Sequence, residues 1–201
     1  MPTQTSWFGI ALLGVIVAST GRAYADTRPT FVLPVTIQNY ANVPDAVVND
    51  ARQQTSQIFR TIGVLLEWGT ATDKGLRIVI LPPAMAARLP ASDDALGMTP
   101  VDVSGAGRRG YVFAERVQTA AHALHMELAH LLGCAMAHEL GHMLLPRHPH
   151  SETGIMRATW DPAHLSIGTS DYLQFTPWQA DWIRRRVSDY FAGGPTVRRS
   201  S

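Results

Sequence analysis

The chain has almost no cysteine: Cys134 stands alone among 201 residues. No intramolecular disulfide can form, so stability must come from an apolar core or a bound ion. The lone thiol reads as a small buried side chain on a helix rather than a nucleophile, although it lies four residues before His138 and on the same helical face. Charge is scarce too. Charged residues make up 16% of the chain and the formal net charge is +1. That balance gives no electrostatic reason to expect a nucleic acid or an anionic membrane as partner. Long apolar runs are also missing. The most apolar stretch, Trp7 to Ala18, is too short to span a bilayer comfortably as a helix. What remains is an ordinary globular composition, with 46% hydrophobic residues and room for one domain and its tails.

The same apolar stretch is followed by Ala23-Tyr24-Ala25, a small-x-small cleavage pattern, and then by Asp26. Residues 1–25 therefore read as a signal peptide, with an uncleaved N-terminal anchor as the alternative; either reading places the domain outside the cytoplasm, secreted or periplasmic, with no stable membrane span if the signal is cleaved. Its removal takes away Arg22 and no acid, leaving a neutral mature chain. The domain is expected over residues 26–192, with a disordered tail over 193–201 after Gly193-Gly194-Pro195.

Within the domain, Phe31 to Tyr40 alternates as a half-buried strand does, and Pro44 to Thr61 has helical spacing ended by Gly63. Val64–Trp68 and Leu76–Leu81 read as strands, Pro82–Asp94 as a loop, Ala95–Met98 as a short strand and Gly110–Val117 as a stronger one. Thr119 to Leu145 contains no proline and reads as one long helix, stopped by Pro146 and Pro149. Residues 146–174 look irregular, and Thr176-Pro177 then opens a closing amphipathic helix to Phe191. Strands grouped before the long helix indicate an α+β domain.

The long helix carries His138-Glu139-Leu140-Gly141-His142. A spacing of four puts both imidazoles on one helical face, about a turn apart, where they can grip one tetrahedral ion. Glu139 then lies beside the metal and not directly facing it, placed to hydrogen-bond a zinc-bound water, take its proton and pass it to a leaving amine. Gly141, between the ligands, would let another strand or a substrate backbone approach closely. A catalytic zinc site needs a third ligand and one open position. Two histidines, His148 and His150, arrive just after the helix must end, and either can turn back to the metal. His122, His125, His130 and His164 lack such a context, and Met126, Met136 and Met143 fit helix packing.

Residues 138–157 resemble the metzincin peptidases. Met156, in a tight turn soon after the third His, corresponds in that resemblance to the Met-turn beneath the zinc. The family's extended pattern has a glycine where Leu145 stands here and its third His at the position of His148. A smaller group of exported bacterial metzincin-like proteins is similar over more of the chain, with HELGHLLL, a short turn and HSxxGIMR matching His138–Leu145 and His150–Arg157. In that alignment His150 is the third ligand and His148 an extra, and His150 is preferred because it carries the Ser-x-x-Gly-Ile-Met context with it. The resemblance implies a zincin-like α+β fold: a twisted mixed sheet with an antiparallel edge, two helices packed on it, the Met-turn and a C-terminal helix. It implies a Zn2+-dependent metalloendopeptidase acting on peptide or protein substrates.

Two alternatives remain open at this level. Gly168-Thr169-Ser170-Asp171 resembles half of the aspzincin motif, which would make Asp171 the third ligand, although the rest of that motif is absent. The other is an exported module that binds metal without turnover.

Overall fold

A computed structural model gives the fold and describes residues 31–69, 75–100, 108–146, 149–160 and 173–191. The expected signal peptide and tail lie outside these residues, as do His148, His164 and Asp171.

The run Leu76-Arg-Ile-Val-Ile-Leu81 forms strand β3 (Leu76–Leu81), the middle of a five-stranded sheet ordered β2-β1-β3-β5-β4. A near-continuous apolar run suits a parallel strand covered on both faces. Leu76, Ile78 and Ile80 enter the main core, while Val79 and Leu81 join a small second cluster with Ala86 and Phe113. Strands β1 (Phe31–Asn39), β2 (Val64–Trp68) and β5 (Arg109–Phe113) all run parallel to β3. The two-residue edge strand β4 (Gly97–Met98) pairs antiparallel with β5. The domain is thus α+β with a mixed sheet and an antiparallel edge, as expected.

Helix α1 (Asp45–Thr61) follows Pro44 and packs its buried Val48, Ala51, Ile58 and Phe59 into the main core. A single helical turn, α2 (Pro83–Ala86), lies within the segment expected to be loop. The expected strand 110–117 ends at Phe113, and helix α3 (Ala114–Ala123) begins directly after it. Ala114, Glu115, Arg116 and Gln118 favour a helix, and Val117 and Ala121, four apart, are its buried residues. The single long helix expected over 119–145 is likewise two. Helix α3 closes in a Schellman motif: Met126 N–H donates to the Ala121 carbonyl at 2.9 Å and His125 N–H to the His122 carbonyl at 3.2 Å, with His125 left-handed at φ 51°.

Helix α4 (Leu128–Leu144) then runs through the core, buried continuously from Leu131 to Ala137. It approaches α1 so closely that a Cβ on Gly133 would lie 2.7 Å from the Ala51 carbonyl. Leu145 is extended, as a residue before proline must be, and the helix stops where Pro146 requires. Helix α5 (Pro177–Phe191) packs against α4 and β1. No helix among the described residues is long and apolar enough to cross a membrane.

Candidate metal centre

Helix α4 presents His138 and His142 on one face, and the chain beyond Pro146 returns to lay His150 against them. The Nε2 atoms of His138 and His142 are 2.9 Å apart, and those of His142 and His150 are 3.2 Å apart. One ligand atom from each of the three histidines lies within 4.8 Å of the others. Nitrogens bound tetrahedrally at about 2.0–2.1 Å stand roughly 3.3 Å apart, so the cluster has the size of one small metal ion's coordination sphere.

The protonation states agree with that use. His138 Nδ1 is 2.8 Å from the Ile155 carbonyl, which has no proton to give, so Nδ1 carries the hydrogen and Nε2 keeps its lone pair. Burial holds the His138 imidazolium unfavourable, down to about 4, with the Ile155 carbonyl opposing and His150 adding to the effect. His142 is lowered to about 3 by burial and then by its two histidine neighbours. Burial also lowers His150. Three neutral imidazoles with converging lone pairs make a donor set for a cation.

Glu139 is only 4% exposed. The Thr99 hydroxyl donates to its Oε2 at 2.7 Å. Burial pushes the carboxyl up to about 8, and the Thr99 bond pulls it back only in part. Two glycines make the space for it. A Cβ on Gly97 would lie 2.5 Å from Glu139 Oε1, and one on Gly110 would lie 2.9 Å from Glu139 Cβ. Helix α4 thus sits against the β4–β5 edge with Glu139 between them.

The expected tight turn is present. Gly154 has φ +80° and its position would not admit a Cβ beside the Gln174 carbonyl. Ser151 N–H donates to the Met156 carbonyl at 3.0 Å, and Ile155 N–H to the Gln174 carbonyl at 2.9 Å. Ile155 and Met156 are fully buried. Met156 Sδ occupies the space that a side chain at Gly141 would need, so Gly141 admits the turn rather than a strand or substrate backbone as expected from sequence. Trp160 stands edge-on to His138, ring centroids 5.6 Å apart, and its buried Nε1–H has no partner among the described residues.

The structure therefore brings His138, Glu139, His142, His150 and Met156 together. The rival third ligands, His148 and Asp171, lie outside the described residues. Cys134 is buried, and burial pushes its thiol up to about 12, consistent with a packing residue. His122 and His125 are exposed on and after α3. Thr99, the Ile155 carbonyl and Gln179 on α5 were not foreseen as parts of the site. Only Gln179 left a local trace, since Thr176-Pro-Trp-Gln179 has the spacing of a helix capping box. No protein-family model matches the chain, and no curated protein is significantly similar to it.

Proposed function

We propose that this chain is an exported zinc metallopeptidase with a metzincin-like site, in which His138, His142 and His150 hold the ion and Glu139 is the general base. The observation that carries the reading is the convergence of three neutral imidazoles beside a buried carboxyl that has no basic partner among the described residues. Nitrogen donors of this kind fit Zn2+, and a buried carboxylate without a cation nearby is costly. A zinc ion there would supply Lewis acidity towards a peptide carbonyl and towards the attacking water.

The chain's own residues supply the rest. The Ile155 carbonyl fixes the His138 tautomer, so Nε2 keeps the lone pair that would hold the ion. Thr99 holds one Glu139 oxygen at 2.7 Å and leaves the other free to accept a proton from water. A bound cation would favour the ionised form of Glu139 against the burial that raises it, and the carboxyl, once it has taken a proton, could deliver it to the departing amine. Met156 packs its thioether against Gly141, between the two helix histidines in sequence. The β4 edge beside Glu139 is the proposed place for an extended substrate segment, through main-chain pairing.

The test uses the purified protein. It should contain about one zinc and cleave an unstructured protein substrate. Glu139→Ala should keep the metal and lose cleavage by roughly 10²- to 10⁴-fold. A variant that cleaves as well as the wild type would overturn the mechanism. Retained zinc with no cleavage by either protein would favour a metal-binding module.

A further inference from the structure

Of the three proposed ligands, His150 alone is carried by a loop, so its backbone must be held by something other than α4. Gln179 is polar yet only 1% exposed. Its Nε2 donates to the Pro149 carbonyl at 3.1 Å and to Ser151 Oγ at 3.1 Å, the residues on either side of His150. Ser151 Oγ gives its own hydrogen to the Thr153 carbonyl at 2.8 Å, so it has only lone pairs to offer Gln179. At the other end of the amide, Oε1 accepts the Thr176 N–H at 2.9 Å. Thr176 Oγ1 accepts the Gln179 N–H in return at 3.4 Å, completing a capping box for α5. The amide orientation follows from these partners, because a flipped side chain would set oxygen against the Pro149 carbonyl and NH2 against the Thr176 N–H.

The geometry points to Gln179 as a positioning residue that fixes His150 for metal binding. Its acceptor end belongs to the cap of α5, and its donor end belongs to the loop that carries the ligand. This rests on the three-histidine site proposed above. It makes the C-terminal helix part of the metal centre although it contributes no ligand, and a helix cap alone would not need the amide's NH2.

That difference supplies the experiment. Gln179→Glu keeps the volume and the capping acceptor, but removes both donors and sets a carboxylate against the Pro149 carbonyl. Thr176→Val does the reverse, removing the capping hydroxyl and leaving the Gln179 donors in place. Zinc affinity would be measured by competition with a chromophoric chelator, alongside heat unfolding of the metal-free full chain. Gln179→Glu should weaken zinc binding by about 10- to 100-fold, the range typical of groups that orient ligands. It should also alter the visible spectrum of the Co2+-loaded protein, as loss of one imidazole does. Thr176→Val should lower the unfolding midpoint and leave zinc affinity as in the wild type. Wild-type affinity in folded Gln179→Glu overturns the proposal. Should that variant fail to fold, Ser151→Ala removes one acceptor and carries the same test, and unchanged affinity there is equally fatal. A His150→Ala variant separates the two levels of the argument. If it binds zinc as tightly as the wild type, or if the wild type binds none, the three-histidine reading falls and this proposal falls with it. If only Gln179→Glu is unaffected, the site stands and the positioning role is wrong.

Discussion

Glu139 is surrounded by three devices that act on a single carboxyl group: burial that raises its proton affinity, a Thr99 hydroxyl that orients one oxygen, and two glycines that make room for it. The glycines are the most exposed to test. At position 97 a Cβ would lie 2.5 Å from Glu139 Oε1 and 2.6 Å from the Tyr111 carbonyl, so both a side chain and the paired strand would have to give way. Backbone on one side removes the cheap solution of a flexible neighbour. Gly97→Ala should therefore cost about 1–3 kcal/mol, the usual penalty of overpacking, in urea unfolding of the metal-free protein. It should leave zinc affinity near that of the wild type, because the three histidines lie on α4 and the loop after it rather than on β4. A Gly97→Ala protein as stable as the wild type would mean that α4 and β4 are further apart than described. Thr99 reaches Glu139 across 40 residues of sequence, and the glycines that admit the carboxyl lie on two different strands. No periodicity or spacing announces such a contact, which is why the His-Glu-x-x-His motif was legible in the sequence while the groups packed around it were not.

At the scale of elements, the strongest local signals were kept and the weaker ones were overridden by the neighbours they met. The apolar run Leu76–Leu81 became the doubly covered central strand, and α4 ended at Leu144, with Leu145 extended before Pro146. The strand expected over 110–117 failed at its second half because alternation in Tyr-Val-Phe-Ala-Glu-Arg-Val gives way to the four-residue spacing of Val117 and Ala121. The division of the long helix at His125 is subtler. Ala120 to His130 contains no glycine or proline, so nothing in its composition marks a stop. The break is made by a left-handed His125 and the Met126 N–H turning back to the Ala121 carbonyl, while Met126 packs against the core. A left-handed residue with a side chain costs about 1–2 kcal/mol relative to a right-handed one. Glycine avoids that strain but loses roughly 0.5–1 kcal/mol through greater freedom in the unfolded chain. His125→Gly should thus raise the unfolding free energy by about 0.5–1 kcal/mol, since glycine is the residue this cap favours. The side chain is exposed, so no packing is lost with it. A lower midpoint in chemical denaturation would show that α3 and α4 are one helix in solution.

Across the whole molecule, the candidate metal site is where several elements meet: α4, the β4–β5 edge beside Glu139, the 149–157 turn that carries His150, and α5, whose Gln179 bonds that turn. Without metal, this junction collects buried groups whose proton affinities are displaced in opposite directions, and the protein's stability should record it. His138 and His142 sit at about 4 and about 3 in the folded chain, below their ordinary 6.5, and His150 is lowered too. As pH falls below 6.5 the unfolded chain takes up protons on these imidazoles that the folded chain refuses, so acid favours unfolding until the folded values are reached. Glu139 behaves oppositely. Its folded value of about 8 lies above the ordinary 4.5, so between them the folded chain keeps a proton the unfolded chain has lost, and rising pH favours unfolding. From 4.5 to 6.5 these three histidines, together with His130, which burial lowers in the same direction, oppose one carboxyl, and stability should climb with pH. Above 6.5 only Glu139 of these groups still titrates, and stability should decline towards 8. Chelator-treated protein should therefore show its highest unfolding midpoint near pH 6.5, in urea titrations spanning about pH 5 to 8. Bound at the proposed site, zinc should reverse the upper limb, since a cation beside Glu139 would favour its ionised form and would bind histidines only when they are neutral. At one hundred times its dissociation constant the ion should add about 2.7 kcal/mol, and the loaded protein should hold its stability to pH 8. A metal-free protein whose stability rises without a maximum through that range would place Glu139 in contact with water rather than buried between α4 and the sheet edge.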